Sequence, residues 1–96
     1  MLTISRSVRL TKSQDGGILL DVEQGEIFHL NPVGARIVEL LKEGHQRPSL
    51  THVISGEFGV PDEVAREDIR DFLSQLQERR LIEGLDTEAE PAGAQK

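Results

Sequence analysis

DGGILLDVEQGEIFHLNPVGARIVELL, residues 15 to 41, places two short apolar-alternating runs, a tight turn and a helix start in one stretch with almost no linker. Ile18, Leu20 and Val22 recur with period two, as do Phe28 and Leu30. Each run is therefore expected to be a strand with one buried face. Asn31-Pro32 ends the second run and opens a helix: the Asn side-chain oxygen can accept from the free amides of the first turn, and Pro suits the first helical position, where no donor is needed. This order leaves the last strand at a sheet edge beside helices, a geometry suited to receiving another chain's strand.

Working outward, Ser7 to Lys12 alternates polar and apolar, with Val8 and Leu10 on one face, and is expected to be the first strand. Asp15-Gly16-Gly17 turns it into a second strand over Gly17 to Val22. Glu23-Gln24-Gly25 turns that into a third over Glu26 to Leu30. A helix follows over 32–43, with Val33, Ile37, Leu40 and Leu41 at helical spacing and Gly44 placed to end it. Ser49 can cap a second helix in which Leu50, Val53, Ile54 and Phe58 share a face, with Gly59 as the stop. The third and longest helix begins near Pro61-Asp62-Glu63 and carries Ala65, Ile69, Phe72, Leu73 and Leu76 as its stripe to about Arg80. Leu81 and Ile82 are expected to fold back onto the core. The fold class is α+β, a winged helix-turn-helix-like arrangement of a three-stranded antiparallel sheet followed by three helices. One domain is expected over residues 1–84, and 85–96 as a disordered acidic tail, because TEAEPAGAQK has no large apolar side chain to bury.

Composition removes most function classes. A chain of 96 residues buries only about 60–65% of its unfolded surface, which favours a shallow groove over a deep catalytic cavity. There is no cysteine, so neither disulfides nor a thiolate metal site is available. His29, His45 and His52 never fall three or four apart, and no metal is expected. No serine sits in a nucleophile elbow, and Gly16-Gly17 lacks the Lys-Ser/Thr and helix start of a phosphate loop. Glu67, Asp68 and Asp71 read as a solvated helix face. The expectation is a protein without catalysis or cofactor. No apolar stretch approaches membrane-spanning length and no secretory signal is apparent, so a cytoplasmic location is expected.

A winged-helix DNA-binding regulator is the first rival, and charge weighs against it. The net charge is −6, from 17 acidic and 11 basic side chains. The third helix carries Asp62, Glu63, Glu67, Asp68, Asp71 and Glu78 against Arg66, Arg70, Arg79 and Arg80, a balance that repels phosphates. The second rival is a structural domain, or a homodimer joined through the third strand.

The positive signal is the edge itself. Arg6, Arg9 and Lys12 guard the first strand, whereas no Lys, Arg or Pro lies between Gly25 and Asn31. Proteins normally protect such an edge. An unguarded strand beside an amphipathic helix suits β-augmentation, in which main-chain hydrogen bonds give affinity and side-chain pockets give sequence choice.

Asp15-Gly16-Gly17-Ile-Leu-Leu-Asp21, Gly25-Glu-Ile-Phe-His-Leu-Asn-Pro-Val-Gly-Ala35, and Glu67-Asp68-Ile69 through Leu76-Gln-Glu-Arg-Arg-Leu81 together resemble the family of the pyrroloquinoline quinone biosynthesis protein D (PqqD). The likeness spans nearly all of residues 7 to 84, and Leu-Asn-Pro-x-Gly-Ala is its most specific element. The resemblance implies a precursor-peptide recognition element, which holds the leader of a ribosomally made precursor and presents the core to a separate modifying enzyme, either a radical-SAM enzyme or a lasso-type leader peptidase. It implies that the leader adds as a fourth, antiparallel strand, touching Ile27, Phe28, His29 and Leu30 on the third strand and Val64, Asp68, Ile69, Phe72, Gln75 and Leu76 on the third helix. This chain has Ile27-Phe28-His29-Leu30 where lasso-type members tend to show Tyr-Trp-Gln-Leu.

Overall fold

A computed structural model describes residues 1–84. The predicted tail over 85–96 lies outside the described residues. The elements run β1 (Thr3–Ile4), β2 (Val8–Ser13), β3 (Gly16–Asp21), β4 (Glu26–Leu30), α1 (Pro32–Lys42), α2 (Arg47–Phe58), α3 (Asp62–Glu78) and β5 (Ile82–Glu83). The order β2-β3-β4 forms the antiparallel meander, with β4 at its edge, and three helices follow. The predicted first, second and third strands correspond to β2, β3 and β4.

One expectation is overturned. Ile18, Leu20 and Val22 do not face the core: they are exposed, while Leu19 between them is fully buried. Register explains the phase. Leu19 lies opposite both Leu10 and Phe28, and Gly17 lies opposite Leu30, so the inward face is common to all three strands. Gly17 carries the inward position nearest α1, and a methyl there would already meet the Ala35 Cβ at 3.4 Å and the Thr11 carbonyl at 3.0 Å. The absence of a side chain is what lets α1 lie against the central strand.

Asp21 completes that inward row as a buried charge that is fully hydrogen-bonded. Its Oδ1 accepts from the Ser7 hydroxyl at 3.0 Å and from the Glu23 amide at 3.0 Å, and its Oδ2 from the Gln24 side-chain amide at 2.8 Å. Burial pushes this carboxyl up, but the donors from Gln24, Ser7 and Glu23 together hold it below its usual value. Asp21 thus ties the β3–β4 turn to the segment entering β2.

The helices follow the sequence at their ends, with one correction. Asn31 caps α1 as expected, accepting from the Gly34 amide at 2.7 Å, and Gly59 ends α2 in the left-handed region. Ser49, however, does not cap α2, which begins two residues earlier behind Gln46 with Pro48 in its first turn. The Ser49 hydroxyl donates back to the Gln46 carbonyl. The Gln46 side chain is engaged elsewhere, accepting from the Leu2 amide at 2.8 Å and donating to the Leu2 carbonyl at 3.1 Å. That clasp fixes β1, which pairs antiparallel with β5 as Thr3↔Glu83 and Ile4↔Ile82. Leu2, Leu81 and Ile82 are thereby buried with Ile37, Leu40, Leu50, Ile54, Ile69, Leu73 and Leu76 in one core.

Two outcomes test this account. Gly16 has φ +132, and a Cβ there would overlap the Leu30 carbonyl oxygen at the end of β4, so Gly16→Ala is expected to lose roughly 1–3 kcal/mol of unfolding free energy in urea titrations. Asp21 stabilises the fold while ionised, so its contribution is present above its unfolded value of 3.8 and is lost as pH falls through the lower folded value. The stability gap between wild type and Asp21→Asn should therefore narrow as urea titrations move from pH 5 to about pH 2.

Candidate functional site

The hydrogen-bond alternation of an antiparallel sheet determines which backbone groups of β4 are free. The Val22 amide donates to the Ser7 carbonyl at 2.9 Å, one step beyond the Val8↔Asp21 pair. Every second residue of β3 from Gly16 to Leu20 therefore bonds β2, and Gly17, Leu19 and Asp21 bond β4. Their partners are Leu30, Phe28 and Glu26. Ile27 and His29 are left with N–H and C=O directed away from the sheet, where no described strand pairs with them.

Side chains alternate in the same rhythm. Phe28 and Leu30 turn inward and pack partly buried against the core, while Ile27 and His29 point to the outer face. Between β4 and α3 lie two adjoining hollows that share His29, Leu30, Phe72 and Gln75. One, of about 370 Å³, is lined also by Asn31, Val33, Gly34, Ile37, Asp68 and Asp71. The other, of about 270 Å³, is lined also by Leu19, Ile27, Phe28, Leu76, Arg79 and Leu81. They form one trough beside the open edge, apolar in its floor and polar at its ends.

The floor is positioned by close packing. Phe72 sits against the first turn of α1, where a Cβ on Gly34 would approach its ring at 3.2 Å. The Arg79 guanidinium lies 4.9 Å from the centre of the Phe28 ring, a cation–π contact that closes one end. Asp68 and Asp71 stand at the other end. Asp71 lies 3.6 Å from Arg70, while Asp68 has no hydrogen-bond or ion-pair partner among the described residues.

Of the ten residues singled out from the sequence, the structure brings eight to this trough: Ile27, Phe28, His29, Leu30, Asp68, Phe72, Gln75 and Leu76. Ile69 is fully buried in the core, and Val64 is exposed one turn before the hollows begin. Sequence reasoning missed Leu19, Asn31, Val33, Gly34, Ile37, Asp71, Arg79 and Leu81. Asp71 and Arg79 were legible in principle, because α3 residues 68, 71, 72, 75, 76 and 79 recur at three- and four-residue intervals on one helix face. The α1 contribution was not, since it depends on how closely that helix approaches α3. Among the described residues no group of three or more His, Cys, Asp or Glu is arranged to hold a metal, and no helix is long and apolar enough to cross a membrane.

Comparison with known proteins is informative at this point. Residues 16–82 match the family model for coenzyme PQQ synthesis protein D. The curated proteins contain no match. Among solved structures, TbiB1 in complex with the TbiA(beta) leader peptide superposes with a TM-score of 0.79 at 35% identity, over 86% of this chain and 96% of that one. Lasso peptide synthetase B1 complexed with a leader peptide gives 0.76 at 25% identity, over 86% and 98%. The solution structure of the PqqD portion of Methylobacterium extorquens PqqCD, described as a stand-alone RiPP recognition element, shares the fold with a TM-score of 0.72 at 19% identity, over 86% and 88%.

The edge geometry makes a direct prediction for the free protein. In native-state hydrogen exchange followed by NMR, the Ile27 and His29 amides should exchange roughly tenfold or more faster than those of Phe28 and Leu30, which are bonded to β3. Equal protection of all four would mean that the outer edge of β4 is already paired.

Proposed function

Because the chain belongs to the PqqD family, we propose that it is a non-catalytic adaptor that captures the leader of a ribosomally made precursor peptide by strand addition at β4 and presents the precursor to a modifying enzyme. The observation that carries this reading is the coincidence of two features along one line: the outward N–H and C=O groups of Ile27 and His29, and the apolar trough that begins immediately beside them. A strand running antiparallel to β4 would bond to those four groups. Its residues opposite Leu30 and Phe28 would point their side chains into the trough, over Phe72, Gln75 and Leu76.

Backbone pairing with two residues gives little discrimination, so choice of leader falls to the trough. A micromolar complex needs about −8 kcal/mol, and ordering a flexible segment costs roughly 2–5 kcal/mol. One or two apolar anchors of the leader, seated between Phe28, Leu30 and Phe72, must then supply much of the affinity. Asp68 and Gln75, exposed at the trough wall, can receive polar groups of the leader.

The leader-bound state of TbiB1 and of lasso peptide synthetase B1 supports the leader-capture reading. The likeness to the latter favours a lasso-type leader peptidase over a radical-SAM enzyme as the partner served.

Two substitutions separate the backbone and side-chain contributions. His29→Pro removes one outward donor while leaving the β3 ladder intact, as edge strands allow. It should weaken binding of the co-encoded precursor leader by about 1 kcal/mol, roughly fivefold, in calorimetry. Phe72→Asp places an unpaired charge against the apolar floor and should reduce affinity about a hundredfold or more. If both variants bind the leader as wild type does, the β4 trough is not the binding site.

A further inference from the structure

The open groups of Ile27 and His29 fix where an added strand lies but not its register. A strand displaced by two residues bonds the same groups and turns the same faces in and out, because hydrogen bonds and side chains share a two-residue period. Apolar anchors on a floor of Phe28, Leu30 and Phe72 resist such a slip only through their size. The trough holds a second determinant of register in its charges.

Its two hollows carry opposite signs. Asp68 and Asp71 are the charged residues lining the hollow beside α1, whereas Arg79 is the charged residue lining the hollow nearer the β3–β4 turn. Asp71 is shared with Arg70 at 3.6 Å, and Asp68 has no ion-pair partner among the described residues. The Arg79 guanidinium rests on the Phe28 ring, a contact that orients it without neutralising it. Glu26 and Glu78 border a separate polar hollow together with Arg79, but neither forms an ion pair with it among the described residues.

Asp68 and Arg79 are both exposed and stand on one face of α3. They are about three helical turns, or roughly 16 Å, apart, a span that an extended peptide crosses in about five residues. Resting on the leader-capture reading, we propose that these two charges set the leader's register: the trough takes a leader with a Lys or Arg upstream and an Asp or Glu about five residues downstream, its apolar anchors between them. A strand antiparallel to β4 begins beside Leu30 and leaves beside Glu26, so the upstream cation meets Asp68 and the downstream carboxylate meets Arg79.

A slip of two residues carries both leader charges about 7 Å from their partners at once, and the attraction falls with that separation. The opposite order of charges brings like to like at both ends. Overall charge provides no such discrimination. At a net charge of −6, the chain attracts a cationic peptide whatever the order of its residues.

The test uses the full chain, a synthetic peptide of the leader from the co-encoded precursor, and a second peptide in which the two charged residues are exchanged. The peptides have the same composition and net charge, so their difference reports position alone. Wild type is expected to bind the native order about tenfold more tightly in calorimetry, and the gap should shrink severalfold as NaCl rises from about 0.05 to about 0.5 M. The double variant Asp68→Lys with Arg79→Glu is expected to reverse the preference and bind the exchanged peptide more tightly than the native one. A purely structural role for either residue would weaken both peptides alike. Should the double variant fold poorly by circular dichroism, Asp68→Asn and Arg79→Gln are each expected to narrow the gap between the two peptides severalfold. A leader without such a pair of charges, equal binding of the two peptides by wild type, or a folded double variant that keeps the native preference overturns this inference and leaves leader capture standing. Failure of the wild-type chain to bind the native leader removes the leader-capture reading and this inference with it.

Discussion

Each residue of a strand directs its backbone pair to one side only, and this constraint organises the molecule. In β4 it commits Glu26, Phe28 and Leu30 to β3 and leaves Ile27 and His29 with no strand partner among the described residues. The same alternation sends the side chains of the committed residues inward and those of the uncommitted ones outward. The open main-chain edge, the trough-facing side chains and the outward ones are thus three readings of a single two-residue period. A shift of register by one residue would exchange all three at once.

The rest of the structure keeps that strand in place without covering it. The Asn31 cap starts α1 immediately after Leu30, so β4 cannot lengthen or slide. Gly17 admits α1 against the central strand, and α1 in turn supports Phe72 through Gly34. At the far end, α3 stops with the Leu81 amide bonded to the Leu76 carbonyl and Arg80 at φ 60, a glycine-type cap made by arginine. The sharp turn folds the buried Leu81 into the core and sends the chain to β5.

Much of this was legible in the residues. Period-two runs, Asn-Pro and the spaced glycines locate the meander and the three helices to within about three residues, the start of α2 being the furthest off, because these signals are local. One strand phase was misread and one pairing went unread, both for physical reasons. Ile18-Leu19-Leu20 is apolar on both phases, so alternation alone cannot say which side is buried, and only pairing with Leu10 and Phe28 decides it. The β1–β5 pair and the Gln46 clasp on Leu2 join positions more than forty residues apart, for which two-residue strands leave no pattern. At the trough, the edge strand and the α3 stripe were readable from composition and spacing. Whether a stripe residue lines a groove or lies under it depends on helix approach, which is why Ile69 is interior and Phe72 is not.

The β1–β5 pair also has a consequence for how such a unit can travel between proteins. Thr3 stands across from Glu83, and Gly84 lies against the Met1 carbonyl, so the first and last of the described residues are neighbours. A segment with that property can be spliced into a surface loop of a larger enzyme, or tethered at either end, without stretching its host. The module is portable because its doorway is one residue pair wide.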